Sequence, residues 1–488
     1  MVMLLKSIKE KFFYWCIVFL LFFIPAYPKF PLIAVPQTHV SIRVEDFLVA
    51  FVLGLFLLKI FREKRLEIDK QILRLIFIYF AVGFLSVLNG IFIAKNIVPH
   101  LAFLHFLRRV EYISLFFIAY FSFKNFRQIK AFGISIAVAL LIVIVYGLGQ
   151  KFFGWPVVST MNEDFARGLV LKLTWWARIN STFAGHYDLA AYMVMMLPLI
   201  IATSFLVKRL FWKILVIILG VFCYYILILT ASRVSFLAFL CGSFLVFLLA
   251  NKKILIIPFL IFSLLGMFFS EDLGQRYAAT FKINLNFLSG KVKVKQEQIA
   301  AVLTVTPTPT PVIENSPTPT VYISKVSPKL SPTIFPSPTP VLATPSAELY
   351  EPVQLAVSRS TDIRLKKEWP RAINAFLKNP ILGTGYSSIT LATDNDYLRM
   401  LGETGILGFL SFLAIIFWLF LKMIDFLRKK VDFESKILIT GIMGALVGYL
   451  LNALFIDVFE ASKLAFFFWI MMGVVLKVID INKERGVN

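Results

Sequence analysis

Between residues 12 and 269 the chain alternates long apolar runs with short polar breaks, and the alternation resumes after residue 404. The runs are too long for buried strands and too uniformly apolar for one-faced surface helices, so they predict helices that cross a bilayer. Twelve spans are predicted, at about 12–26, 46–60, 72–94, 110–123, 131–149, 188–206, 214–229, 234–250, 254–269, 405–421, 437–456 and 464–479. Several are shorter than the roughly 20 residues of a typical span. The first follows Lys6, Lys9 and Lys11 and has the look of a secretion signal, but no small-residue cleavage site follows it, so it is read as a helix. One break is unusual. In "LILTASRVSFLAF" (227–239) only Thr230, Ala231, Ser232 and Arg233 separate two spans. A charge at mid-membrane is costly, so Arg233 belongs at a membrane surface or in a polar cavity.

Composition agrees with the pattern. Of 488 residues, 59% are hydrophobic and 52 are Phe, with a mean hydropathy of +0.81, more apolar surface than a soluble core absorbs. The fold class is an all-α polytopic membrane protein of about 12 transmembrane helices with one large extracytoplasmic loop. The net charge of +22 reads first as a topology signal. With the N-terminus in the cytoplasm, the inside segments hold 25 Lys/Arg and the short outside loops 11; the other 14 lie in the long loop, which the positive-inside rule does not count. Both termini are therefore expected in the cytoplasm, and the basic balance needs no nucleic-acid partner. The three cysteines, Cys16, Cys223 and Cys241, all lie in apolar runs, so no disulfide is expected.

Three regions follow: a membrane part over 1–269, an outer loop over 270–404, and a second membrane part over 405–488. Within the loop, residues 304–346 hold 11 of the 22 prolines, with 9 Thr and 6 Ser. Such density favours extended, disordered chain and predicts a linker. Beyond it, Leu365, Trp369, Ile373 and Phe376 recur at helical spacing over 360–380, with Thr361 or Asp362 as the cap. Pro370 predicts either a kink or the first turn of a second helix. Arg364, Lys367 and Arg371 give this helix a basic face suited to a membrane surface. "GTGYSS" (383–388) predicts a turn and is too short for a nucleotide loop.

Four polar clusters fall on the predicted outer side. They are Arg108, Arg109 and Glu111; Arg178, His186 and Asp188; Arg233; and Asp394, Asp396, Arg399 and Glu403. Arginines suit bidentate contacts with phosphate, and a carboxylate or histidine beside them can take a proton from a hydroxyl. Zinc spacing, a Walker loop and a Gly-x-Ser-x-Gly elbow are lacking. The residues thus point to an outward-facing site for a phosphorylated, lipid-linked substrate, with no metal or other cofactor expected.

"LTASRVSFLAFL", "RLKKEWPRAINAFLKNPILGTGYSS" and "DNDYLRMLGETGILGFL" resemble the O-antigen ligase and O-antigen polymerase family, with weaker echoes in "IRVEDFLVA" and "RRVEYISLFF". The likeness runs from about residue 177 to 460. It implies an integral-membrane glycosyltransferase, GT-C-like in fold, at the outer face of the cytoplasmic membrane. Such an enzyme takes a glycan from undecaprenyl diphosphate and passes it to a hydroxyl of lipid A core, a growing O-antigen chain or a protein. Carried over by position, Arg233 and Arg364 are expected to hold the diphosphate, with Arg178 as a third contact. Where the family reads His-Asn-x-Tyr-Leu, this chain has Asp394-Asn395-Asp396-Tyr397-Leu398, so Asp394 replaces the expected catalytic histidine. His186 is the second candidate base. The implied reaction is metal-independent and inverting. A flippase or a non-catalytic envelope scaffold are the readings of other classes; no internal repeat of the kind transporters carry is visible.

Overall fold

The computed structural model describes residues 2–38, 41–63, 67–160, 168–174, 177–267, 273–274, 276–277, 362–389 and 392–484. The proline-rich stretch 304–346, Thr361 and most of the outer loop lie outside the described residues.

Among the described residues the chain forms thirteen α-helices. The first five are α1 (Val2–Ala26), α2 (Val44–Glu63), α3 (Lys70–Leu88, extended by a π-helical turn over Asn89–Ile93), α4 (Pro99–Ser122) and α5 (Phe126–Phe153). Then come α6 (His186–Leu206), α7 (Leu210–Leu229), α8 (Arg233–Leu249) and α9 (Ile256–Met267). The loop helix is α10 (Trp369–Lys378), and α11 (Asp396–Arg428), α12 (Phe433–Asn452) and α13 (Ser462–Glu484) complete the bundle. Two small antiparallel pairs, Ile33–Ala34 with Ser41–Ile42 and Val157–Val158 with Val170–Leu171, pin the loops before α2 and α6.

Each of the twelve predicted runs coincides with one of these helices, and α10 is the thirteenth. Seven are long and apolar enough to cross a membrane: Lys70–Ile93, α5, α6, α7, α11, α12 and α13. The protein is thus a multi-pass α-helical membrane protein. The difference from twelve has identifiable causes. Lys11–Ala26, α8 and Lys253–Met267 are short. The other two, α2 and α4, have the length but carry Glu45, Asp46 and Lys59, or Arg108, Arg109 and Glu111.

The helices also run past their apolar runs, because polar caps start them early. Asn125, Ser232, Asn395 and Asp432 each accept a backbone N–H three residues ahead, satisfying a donor that a helix start otherwise leaves open. The predicted span 405–421 accordingly becomes the 33-residue α11.

The core is built on α13, buried along almost its whole length, with α4, α6 and α12 around it. In α8 and α12 the backbones touch. A Cβ on Gly242 would lie 2.5 Å from the Gly444 carbonyl oxygen, and one on Gly444 would lie 2.6 Å from that of Gly242. Apolar burial gives little drive between helices in lipid, so such close approach, gained from small residues, carries the packing.

Polar contacts sort to the two ends of the bundle. At one end lie Lys422–Asp69 (2.9 Å), Lys130–Glu434 (2.7 Å) and the Tyr120 hydroxyl donating to Asp480 (2.7 Å). At the other lie Lys29–Asp188 (3.5 Å), Arg109–Glu460 and Arg364–Asp394, together with the turn carrying Arg233. All four predicted clusters are at this second end.

Candidate functional site

The loop helix starts irregularly. Residues Arg364–Glu368 form a π-helical turn, and α10 begins at Trp369 with Pro370 in its first turn, as one of the two sequence alternatives had it. A π turn rotates the helix face that follows it. The consequence falls on Arg364. Predicted on a basic face suited to a membrane surface, it is instead buried, and its Nε and Nη2 lie 2.9 and 2.8 Å from Asp394 Oδ2. Its guanidinium also stands 5.8 Å from the centre of the Tyr187 ring. Asp362, the predicted cap, pairs with Lys366 at 3.1 Å.

Asp394 occupies the left-handed region, with φ +50°. Asp tolerates that conformation better than most residues, but something must hold it. Asp457 does so from the loop between α12 and α13. Its Oδ2 accepts the Thr393 N–H at 2.8 Å, its Oδ1 accepts the Asn395 N–H at 3.0 Å, and Arg399 Nη2 donates to it at 3.1 Å. One carboxylate therefore clamps the backbone on both sides of Asp394. The neighbouring residues are structural as well. Asn395 caps α11, and buried Asp396 accepts the Phe459 N–H at 3.0 Å.

A second clamp acts where α11 breaks. Gly405 has φ +66°, and a Cβ there would lie 2.3 Å from the Ile381 oxygen. The backbone groups freed by the break are taken up by the predicted Gly-x-Gly turn. Thr384 N–H donates to Gly402 O (2.9 Å), Gly385 N–H to Glu403 O (2.9 Å), and Ile406 N–H to Pro380 O (2.8 Å). Broken helices in membrane proteins need such partners. Asn89, in the π extension of α3, fastens the turn by donating to Gly383 O at 2.7 Å.

On the facing side, Arg178 Nη1 lies 2.7 Å from His186 Nε2 at the start of α6. A guanidinium only donates, so Nε2 accepts and its lone pair is engaged. Arg233, first residue of α8 and half-buried, lies within electrostatic reach of Arg364, Arg178 and Tyr187, and its carbonyl accepts the Tyr277 hydroxyl at 2.6 Å. All five residues singled out from the sequence, Arg178, His186, Arg233, Arg364 and Asp394, are thus neighbours at one end of the bundle. The remaining predicted charges serve the frame. Arg108 lies 3.7 Å from Asp46, Arg109 bonds to Glu460 and donates to Phe459 O at 3.0 Å, Arg399 stands 3.6 Å from Glu403, and Asp188 holds Lys29.

Electrostatics at the site are mixed. Burial pushes the Asp394 carboxyl above its ordinary range, Arg364 opposes that, and Asp457 adds to it. Burial works against the charge on Arg364, and Asp394 more than restores it. Glu368, not singled out from the sequence, is pushed up to about 7 by burial and then by the nearby Asp394 charge. Its Oε2 is buried with no hydrogen-bond partner among the described residues. Asp457 and Tyr187 were also missed. Asp457 stands alone in a short loop, and only the fold brings it to Asp394.

The fold and the site together define a multi-pass helical membrane protein with three arginines, a histidine and a carboxylate converging at one end. Residues 218–413, from α7 through the loop helix into α11, match the O-antigen ligase family. The match supports the resemblance to the O-antigen ligase and polymerase family, a glycosyltransferase-like family, that the motifs carry. No curated protein matches the chain.

Proposed function

We propose that the protein is an O-antigen ligase-like glycosyltransferase that moves a glycan from undecaprenyl diphosphate to an acceptor hydroxyl at the outer face of the cytoplasmic membrane. The observation that carries this reading is the gathering of Arg178 and Arg364 within electrostatic reach of Arg233, with Asp394 bound to Arg364 and His186 to Arg178. In the proposed step, Asp394 accepts the hydroxyl proton, the hydroxyl oxygen attacks the anomeric carbon, and the bond from that carbon to the diphosphate oxygen breaks with inversion. No metal takes part. Negative charge grows on the departing diphosphate, where Arg233, Arg364 and Arg178 stabilise it, the role fixed cationic donors fill best. Asp394 is preferred to His186 as base because the imidazole Nε2 already accepts from Arg178.

Donor and base are coupled in this mechanism. A diphosphate drawing Arg364 toward itself weakens the pair with Asp394 and so raises the basicity of that carboxylate when the acceptor arrives. The test is glycan transfer in liposomes holding the purified protein and a labelled undecaprenyl-diphosphate glycan. Label moving to an added hydroxyl acceptor is expected. Label that crosses the bilayer without transfer identifies a flippase, and neither outcome identifies a scaffold. Lipid A core, a growing glycan and a protein, offered in turn, separate ligase, polymerase and protein transferase.

A further inference from the structure

A cavity of about 380 Å³ opens on the side of the loop helix bearing Lys367, Arg371 and Lys378. These recur at helical spacing, and Lys366 adds a fourth cation at the rim. Asn96, Thr384 and Ser388 add polar groups to its lining. Arg371 Nη1 is buried there without a hydrogen-bond partner among the described residues. Asp362, paired with Lys366, and Glu368, within electrostatic reach of Arg371, offset only part of the positive charge. A concave site of this size with an unpartnered guanidinium nitrogen calls for an anion.

Its depth in the membrane selects the anion. Asn96 comes three residues after the end of the candidate span Lys70–Ile93, so the cavity lies where that span meets the headgroups. Phe92 and Ile93 at the end of the span are 68% and 76% exposed, and Leu377 and Ile381 beside Lys378 are 64% and 60% exposed. Exposed apolar side chains flanking a basic site at the interface are the arrangement that takes a lipid by its acyl chains and its phosphate together. We propose that this cavity binds the phosphate headgroup of an anionic phospholipid of the surrounding leaflet, and that this lipid holds the loop helix against the membrane. The inference rests on the membrane setting and does not depend on the transfer reaction.

The test uses the full chain in detergent with short-chain phosphatidylglycerol, short-chain phosphatidylcholine, inorganic phosphate, undecaprenyl diphosphate and a soluble acidic oligosaccharide as probes. Phosphatidylglycerol is expected to bind the wild-type protein at least tenfold more tightly than phosphatidylcholine or phosphate. The double change Arg371→Gln with Lys378→Gln is expected to weaken it about tenfold, each interfacial cation contributing modestly. Equal binding of the two phospholipids by the wild-type protein overturns the proposal without need of a variant. So does an unchanged double variant. Displacement of phosphatidylglycerol by the acidic oligosaccharide would make the cavity a glycan site, and displacement by undecaprenyl diphosphate would make it part of the donor site. Either result overturns the lipid-anchor reading and leaves the proposed transfer standing.

Discussion

Arg364 meets Asp394 through a single oxygen, with Nε and Nη2 at 2.9 and 2.8 Å from the same Oδ2. Two donors on one atom fix the orientation of the carboxylate. If it is the base, Asp394→Asn removes proton acceptance and also releases Arg364. Transfer is expected to fall about 10²- to 10⁴-fold, the usual contribution of a positioned base. Donor binding should hold or tighten, because Arg364 no longer shares itself with a carboxylate. Single-turnover transfer and donor affinity, measured side by side, check both halves; unchanged transfer moves the base to Glu368 or His186.

Glu368 gives a prediction with a definite sign. Burial and the Asp394 charge raise its carboxyl from the ordinary 4.5 to about 7 in the folded protein. The folded state then binds more protons than the unfolded state between those values, so stability falls as pH rises through the window. The contribution is fully present below about 4.5 and lost by about 7. Glu368→Gln should therefore gain on the wild type, in unfolding midpoint, as pH is raised from 5 to 8. A constant difference across that range would show that Glu368 keeps its ordinary acidity.

Asp457 is expected to act through Asp394 and not on substrate. Asp457→Ala takes from Arg399 its 3.1 Å carboxylate partner, Glu403 standing farther off at 3.6 Å, and frees the backbone on both sides of Asp394. Breaking a buried pair by removing one partner typically costs about 3–5 kcal/mol. Asp457→Asn keeps an acceptor and should recover part of that stability. As a positioning residue, it should lower the turnover number of the folded fraction far more than donor affinity. A proportional loss of both would make it a general scaffold residue.

The sequence was most legible where physics is local. Each apolar run marked a helix among the described residues, but their ends were misplaced where caps such as Asn395 and Asp432 start a helix before the apolar run begins. The arginines were recognisable one by one. Their partners were less so: Asp457, which holds Arg399, lies beyond the rest of α11 and the whole of α12. Arg364 shows a subtler failure. Regular helical spacing put it with Lys367 and Arg371 on a basic face suited to the membrane surface, whereas the π turn over 364–368 breaks that spacing and Arg364 is buried. A shift of register by one residue is not visible in a pattern of apolar positions.

Gly405 tests the break in α11. It combines φ +66° with a backbone contact no Cβ can enter, 2.3 Å from the Ile381 oxygen. Gly405→Ala therefore meets both a strained conformation and a clash, and should cost more than the about 1–3 kcal/mol of ordinary overpacking. Gly444→Ala also clashes with a backbone oxygen, at 2.6 Å, but lies in regular helix. Thermal unfolding in detergent should rank Gly405→Ala below Gly444→Ala, and only the former should also reduce transfer by the folded fraction.

Arg233 decides between phosphate binding and membrane anchoring. It sits at the head of α8 behind the Ser232 cap, half-buried and facing Arg364 and Arg178. The Arg364 and Arg178 charges act against that of Arg233, and a bound anion would offset them. An anchoring arginine would instead turn away toward lipid headgroups, where lysine snorkels as well. If Arg233 grips a diphosphate with paired donors, lysine cannot reproduce the fork. Arg233→Lys should therefore insert and fold normally while transfer falls on the order of a hundredfold, the usual loss for one transition-state donor. Arg233→Gln should bring a second sign of the same role. Added undecaprenyl diphosphate should raise its unfolding temperature less than it raises that of the wild type. An anchor predicts neither effect, and near-wild-type transfer by Arg233→Lys would return the residue to the membrane surface.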